Sequence, residues 1–173
     1  MCTVLIVISG LPGVGKTTLA AAFAQQSRAV HLSVDVAEEA LLGAGLEPGW
    51  TTGVAAYEAV RAAAEQNLTL GLTVVVDAVN DSEAARRTWR TAADTTDAEL
   101  RFVLLHPPDP AEHQRRVRAR ARDLRHVGEP TWQQIVERVR TCEQWVDAPL
   151  ELPADEPVAT LVERLQEELL FTR

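Results

Sequence analysis

The chain has 173 residues, is 46% hydrophobic and carries a net charge of −8, enough apolar material for one globular domain spanning residues 1–173. An acidic balance with pI near 5.0 argues against a general nucleic-acid binder, because neutralising phosphates takes clustered positive charge. The two cysteines, Cys2 and Cys142, have no metal-ligand spacing and read as thiols of a reducing compartment.

The first ten residues, MCTVLIVISG, hold a short apolar run without a basic leader, so neither a signal peptide nor a membrane span is expected and the protein is read as cytoplasmic. Val4 to Ser9 is β-branched and apolar, as in a strand buried on both faces. It leads into Gly10-Leu11-Pro12-Gly13-Val14-Gly15-Lys16-Thr17, which matches G-x-x-x-x-G-K-[ST] at every position and precedes a helix predicted over Thr17–Gln26. The loop amides form an anion nest and the helix adds its positive end. Lys16 is expected to reach the β- and γ-phosphates, Thr17 to ligate Mg²⁺, and Thr18 to lie near the α-phosphate. Sixteen arginines and a single lysine make up the basic residues, and that lysine is Lys16. Arginine is a wide planar fork and lysine a compact charge on a slim stem, so a closed phosphate loop selects lysine.

A second strand is predicted over Val30–Val34, followed by Asp35. Strand ends of open α/β sheets border the ligand crevice, so Asp35 is a candidate to accept the proton of an attacking hydroxyl; a plain N-cap for Val36–Leu42 is the alternative. Thr52 to Leu70 reads as a long helix with Val54, Tyr57, Val60, Ala64 and Leu68 along one side. Leu72 to Val76 is a third strand, and Asp77 after it has the form of a Walker B carboxylate. It would hold Mg²⁺ directly or through water, act on the substrate hydroxyl, or simply cap a turn. A helix is expected over Ser82–Ala93 and a strand over Arg101–Leu105, with His106 at its end.

Pro110 to Arg125 reads as a charged helix with six arginines in its last eleven residues. Most would face solvent, while Arg116 and Arg120, four apart on one face, are candidate lid arginines for the transferring phosphoryl group, within a lid of about 116–130. A further helix over Thr131–Val146 would place Trp132 and Trp145 in packing positions, as Trp89 is earlier. Trp50, beside a Pro-Gly turn, is a candidate for the border of the substrate pocket. Leu150–Leu152 is a last short strand, and a closing helix starts after Asp155, Glu156 and Pro157. Alternating strands and helices predict a three-layer α/β fold with a mainly parallel sheet.

The segments ISGLPGVGKTTLA, LSVD, AYEAVRAAAEQNLTLGLTVVVDAVN, VRARAR and QWVDAP occur in an order that resembles the P-loop kinases. They are most similar to the small AAA-type ATP-binding proteins related to zeta toxin, chloramphenicol phosphotransferase and polynucleotide 5′-kinase domains. The resemblance implies a five-stranded parallel sheet in order 2-3-1-4-5, Mg·ATP as donor and a hydroxyl as acceptor. It places Asp35 at the general-base position and makes Arg86 or Arg87 the arginine that follows the third-strand aspartate, with Arg86 a substrate-side candidate. Polynucleotide kinases carry an arginine shortly after the base; Ala37, Glu38 and Glu39 stand there in this chain, which argues against a nucleic-acid 5′ end as acceptor. The expected function is phosphorylation of a small hydroxyl compound, such as a metabolite, nucleoside or antibiotic. The alternatives are a polynucleotide 5′-kinase and a nucleotide-binding module without phosphotransfer.

Overall fold

The computed structural model describes residues 3–119 and 124–171. Five strands, β1 (Val4–Ser9), β2 (Val30–Ser33), β3 (Val74–Asp77), β4 (Glu99–His106) and β5 (Leu150–Pro153), form one sheet in order β2-β3-β1-β4-β5. Every pairing is parallel, with Ile8 opposite Asp77 and Ser33 opposite Asp77 in the two ladders flanking β3. The helices are α1 (Lys16–Ser27), α2 (Val34–Gly43), α3 (Trp50–Thr69), α4 (Glu83–Thr96), α5 (Pro110–Ala119), α6 (Trp132–Thr141) and α7 (Val158–Phe171). This is the P-loop NTPase arrangement, with the phosphate-loop strand at the centre.

Parallel strands need crossovers, and the helices that supply them cover both faces, which is why the strands read as continuous apolar runs. Alternation sends Ile6 and Ile8 of β1 with Val75 of β3 toward α1 and α7, where Leu19, Phe23, Leu161 and Leu165 fill one core. Leu5, Val7, Val74 and Val76 point the other way, into a second core with Ala56, Val60, Ala64 and Leu68 of α3 and Trp89 of α4. Among the described residues no helix is long and apolar enough to cross a membrane.

Several expected boundaries move. β2 stops at Ser33, so Asp35 lies in the first turn of α2 rather than after a strand, and the N-cap position falls to Ser33. Asp77 is the last residue of β3 instead of the residue beyond it. The arginine-rich helix is described only to Ala119, and residues 124–130 are not helical. Helix α6 starts as expected, with a capping box between Thr131 and Gln134, but ends at Thr141. Trp145 is therefore not on a helix; it sits in an irregular segment with its ring edge-on to Phe102 at 5.4 Å. Cys142 is an exposed free thiol, and Cys2 lies outside the described residues.

Candidate active site

The phosphate loop leaves β1 at Ser9 and ends where α1 begins, with Gly15 as its N-cap. Two of its glycines are sterically required. At Gly10 (φ 146°) a Cβ would stand 2.8 Å from the Leu105 carbonyl oxygen, and at Gly13 (φ 85°) 2.6 Å from a methyl group of Val117. Helix α5 therefore rests directly on the loop. His113, buried on α5, donates from Nε2 to the Pro12 carbonyl at 2.8 Å and packs edge-on against Trp132, with ring centroids 5.3 Å apart. The partner of His113 is a backbone carbonyl 101 residues away in the chain.

Lys16 is only 8% exposed, and its ammonium donates to the Leu11 carbonyl at 3.0 Å, curled back inside the loop. Thr17 follows with its hydroxyl donating to Asp77 Oδ1 at 3.3 Å. Asp77 is buried at the end of β3, where Ser33 donates to Oδ1 at 2.8 Å and His31 Nε2 lies 3.1 Å from Oδ2. His31 and Ser33 are two apart on β2 and so share a face, and the register that sets Ser33 opposite Asp77 brings both to one carboxylate. Sequence reasoning missed these two supports; their signal is the i, i+2 spacing on a strand next to β3. A hydroxyl and one carboxylate are hard oxygen donors of the kind Mg²⁺ takes, leaving its remaining positions to water and phosphate. No cluster of three or more His, Cys, Asp or Glu suited to a metal occurs among the described residues.

Among the described residues, two separate cavities meet the loop. One, of about 730 Å³, is lined by Pro12 and Lys16, by Asp35 and Glu38 of α2, by Trp50, Val54 and Tyr57 of α3, by Asp81, and by His126 to Gly128. The other, of about 460 Å³, is lined by Gly13 to Gly15 of the loop and Thr18 of α1, by Arg115 and Arg116 of α5, and by Ala154, Glu156, Pro157 and Val158 after β5. A third, of about 770 Å³, opens among α4, β4, β5 and α7 and touches no loop residue. Lys16 and Asp35 thus share the first cavity, and Arg116 belongs to the second. There Arg116 spans α5 and the chain after β5, donating to Glu112 at 2.8 Å and to the Ala154 carbonyl at 2.7 Å. Arg120 lies outside the described residues.

Arg86 is not brought to either loop cavity. Its side chain is wholly buried, donating to the carbonyls of Asn80 (3.1 Å), Glu143 (3.3 Å) and Gln144 (3.0 Å), with its guanidinium 4.7 Å from the Trp145 ring centroid. Arg87 beside it is exposed. Asn80, left-handed at φ 55°, ties this region to the loop strand: Nδ2 donates to Ser9 Oγ at 2.9 Å and Oδ1 accepts from Trp89 at 2.8 Å. His106 meets Glu151 at 3.0 Å and lines neither loop cavity.

One wall of the Asp35 cavity is latched. Glu39 of α2 accepts from the backbone N–H groups of Arg125 (2.7 Å), His126 (2.9 Å) and Val127 (2.8 Å), and its Oε1 lies 2.8 Å from His126 Nδ1. Burial alone would raise the Glu39 carboxyl, but the N–H groups of Val127, Arg125 and His126 bring it down from 4.5 to about 2. A depressed carboxyl contributes fully above its unfolded pKa, so the latch is complete above about pH 4.5 and is lost as pH falls through about 2. At neutral pH, Glu39→Gln is expected to speed amide hydrogen exchange at residues 125–127 by about tenfold or more, since charge-assisted bonds become neutral ones. Unchanged exchange in this variant would mean that something else holds the segment.

Comparison with known proteins bears on the fold and the family. A family model described as an AAA domain matches residues 5–142. Among solved structures, an unliganded sugar kinase from Janibacter sp. HTCC2649 superposes with TM-score 0.70 at 16% identity, covering 98% of this chain and 95% of that one. The Mycobacterium tuberculosis APS kinase in complex with AMPPNP and APS gives TM-score 0.72 at 19% identity, over 97% and 98%. Shikimate kinase from Aquifex aeolicus vf5 gives 0.62 at 15%, over 97% of each chain. No curated protein sequence matches the chain.

Proposed function

The chain belongs to the AAA-domain family, and from that membership we propose that it is a small-molecule kinase, passing the γ-phosphoryl group of Mg·ATP to an alcohol. The observation that carries this reading is the phosphate loop standing between two distinct cavities, with a carboxylate, Asp35, in one of them. A simple nucleotide switch needs one site; a phosphoryl transferase needs a donor and an acceptor site that meet at the γ-phosphate. Three of its structural neighbours are named as kinases, acting on a sugar, on APS and on shikimate, which supports the same division.

In this reading the cavity by α5 and the β5–α7 turn seats the nucleoside, with Arg116 along its wall. The loop amides and Lys16 hold the β- and γ-phosphates, and Thr17 and Asp77 hold Mg²⁺. Bound there, Mg²⁺ neutralises phosphate charge. The acceptor hydroxyl lies by Asp35, which takes its proton as the oxygen bonds to the γ-phosphorus. The bond from that phosphorus to the bridging oxygen breaks, and ADP carries the electron pair away. Asp77 is supported by three neighbours and buried, which suits a fixed metal carboxylate. Asp35, in the first turn of a helix on the cavity wall, suits a group that meets substrate.

The test is ADP formation from Mg·ATP in the presence of hydroxyl metabolites, nucleosides, hydroxylated antibiotics and 5′-hydroxyl oligonucleotides. A small alcohol is expected to raise the rate above the acceptor-free level, and Asp35→Asn to cut that stimulated rate by about a hundredfold or more. Stimulation by oligonucleotides alone would replace this reading with polynucleotide 5′-kinase. ATP binding without stimulation by any acceptor would reduce the protein to a nucleotide-binding module.

A further inference from the structure

Helix α3 carries one apolar stripe at i, i+3/i+4 spacing, from Trp50 through Val54, Tyr57, Val60 and Ala64 to Leu68. Its C-terminal half is core, with Val60, Ala64 and Leu68 buried against the sheet. The N-terminal half runs on beyond the core and becomes a wall of the Asp35 cavity: Tyr57 at the floor, Val54 next (40% exposed) and Trp50 at the rim, 83% exposed. Tyr57 is set in place from behind, its hydroxyl oxygen accepting the Asn80 N–H at 3.3 Å and its ring 5.7 Å from that of Trp89. Leu42, Val34 and Val127 contribute apolar surface from α2 and the latched segment.

Trp50 and Val54 are exposed together where the core stripe runs out, so they form an apolar patch on the cavity wall rather than a lone surface residue. What covers it is indicated by what else lines the same cavity. Lys16 and Asp35 share it, so a molecule lying along the stripe presents its own groups to the phosphoryl-transfer point, whereas a protein partner would meet only the rim. The cavity, at about 730 Å³, has the size that takes a ligand of drug-like or nucleoside dimensions. A three-carbon polyol or a small hydroxy acid would leave Trp50 uncovered.

Resting on the kinase reading, we propose that Trp50, Val54 and Tyr57 form a platform for the acceptor, and that the acceptor is an alcohol bearing a flat apolar ring rather than a small polyol or hydroxy acid. Trp50 is the specificity-determining residue, stacking on the ring while the hydroxyl lies by Asp35. The test uses the full chain with Mg²⁺ and a non-hydrolysable ATP analogue, and two probe sets: ring-bearing alcohols (nucleosides and aryl diols) and ring-free ones (glycerol and aldonic acids). Binding is read from Trp50 emission, taken as wild type minus Trp50→Ala, and turnover from ADP release with ATP. Because Trp50 is exposed, Trp50→Ala should keep the wild-type Tm.

The expected result is quenching by ring-bearing alcohols alone, with Trp50→Ala raising their KM about tenfold or more at similar kcat and Trp50→Phe restoring most of the loss. Ring-bearing alcohols that bind Trp50 without ADP release would leave the platform standing and remove the kinase reading. Phosphorylation of ring-free acceptors with KM unaltered by Trp50→Ala would keep the kinase and overturn the platform. Binding by neither set would overturn the platform as well.

Discussion

Lys16→Arg is expected to lower the phosphotransfer rate by about a hundred- to a thousandfold, the range for removing one preorganised donor to a transition state, while leaving Tm near wild type. The reason is shape. The ammonium is folded into the loop, 3.0 Å from the Leu11 carbonyl and almost out of contact with water. When phosphate arrives, a slim stem lets it exchange that carbonyl for phosphate oxygens without the loop opening. A guanidinium keeps the charge but is planar and wider, and His113 and Val117 press on the loop from α5, so it cannot widen freely. The measurement is single-turnover transfer alongside thermal melting. Activity within threefold of wild type would mean that charge alone suffices there.

Arg86→Ala is expected to act on the fold. Truncation would strand the carbonyls of Asn80, Glu143 and Gln144 without their donor, open a cavity beneath Trp145 and remove the cation from its ring. Breaking a buried charged network costs about 3–5 kcal/mol, which for a chain of this size corresponds to a fall in Tm of roughly 6–20 °C. Thermal melting of the variant checks this. A normal Tm with a raised acceptor KM would return Arg86 to the substrate, the role that its place after the third-strand aspartate suggested.

That contrast marks where the sequence is readable. The phosphate loop is legible because its chemistry is local: consecutive residues set the φ angles, and Gly10 and Gly13 leave no space for a Cβ. The alternation of apolar strands and amphipathic helices is local as well, so the layered fold follows from pattern, whereas the strand order was reached only through family resemblance. What stayed hidden depends on residues far apart in the chain. His31 and Ser33 become supports of Asp77 only when β2 pairs with β3, 46 and 44 residues on. Glu39, conspicuous only as an acid where polynucleotide kinases have an arginine, finds its donors 86 to 88 residues away.

The surroundings of Arg86 and the early end of α6 have one cause. The helical pattern of α6 reads on through Trp145, but the chain turns extended at Cys142 and so presents the Glu143 and Gln144 carbonyls to Arg86. Tertiary hydrogen bonding overrides local propensity there. The stripe on α3 shows the opposite case. Its period is legible in the sequence, but periodicity cannot tell a face that meets the core from one that meets a ligand, and only the cavity beside Trp50 separates the two.

The most direct test of a kinase with separate donor and acceptor sites is phosphorus NMR of the protein incubated with Mg·ATP and the best-stimulating alcohol. A new phosphomonoester resonance is expected to grow in step with ADP and to be absent from the Lys16→Arg and Asp35→Asn samples. Growth of ADP matched only by inorganic phosphate, with no new ester, would contradict it.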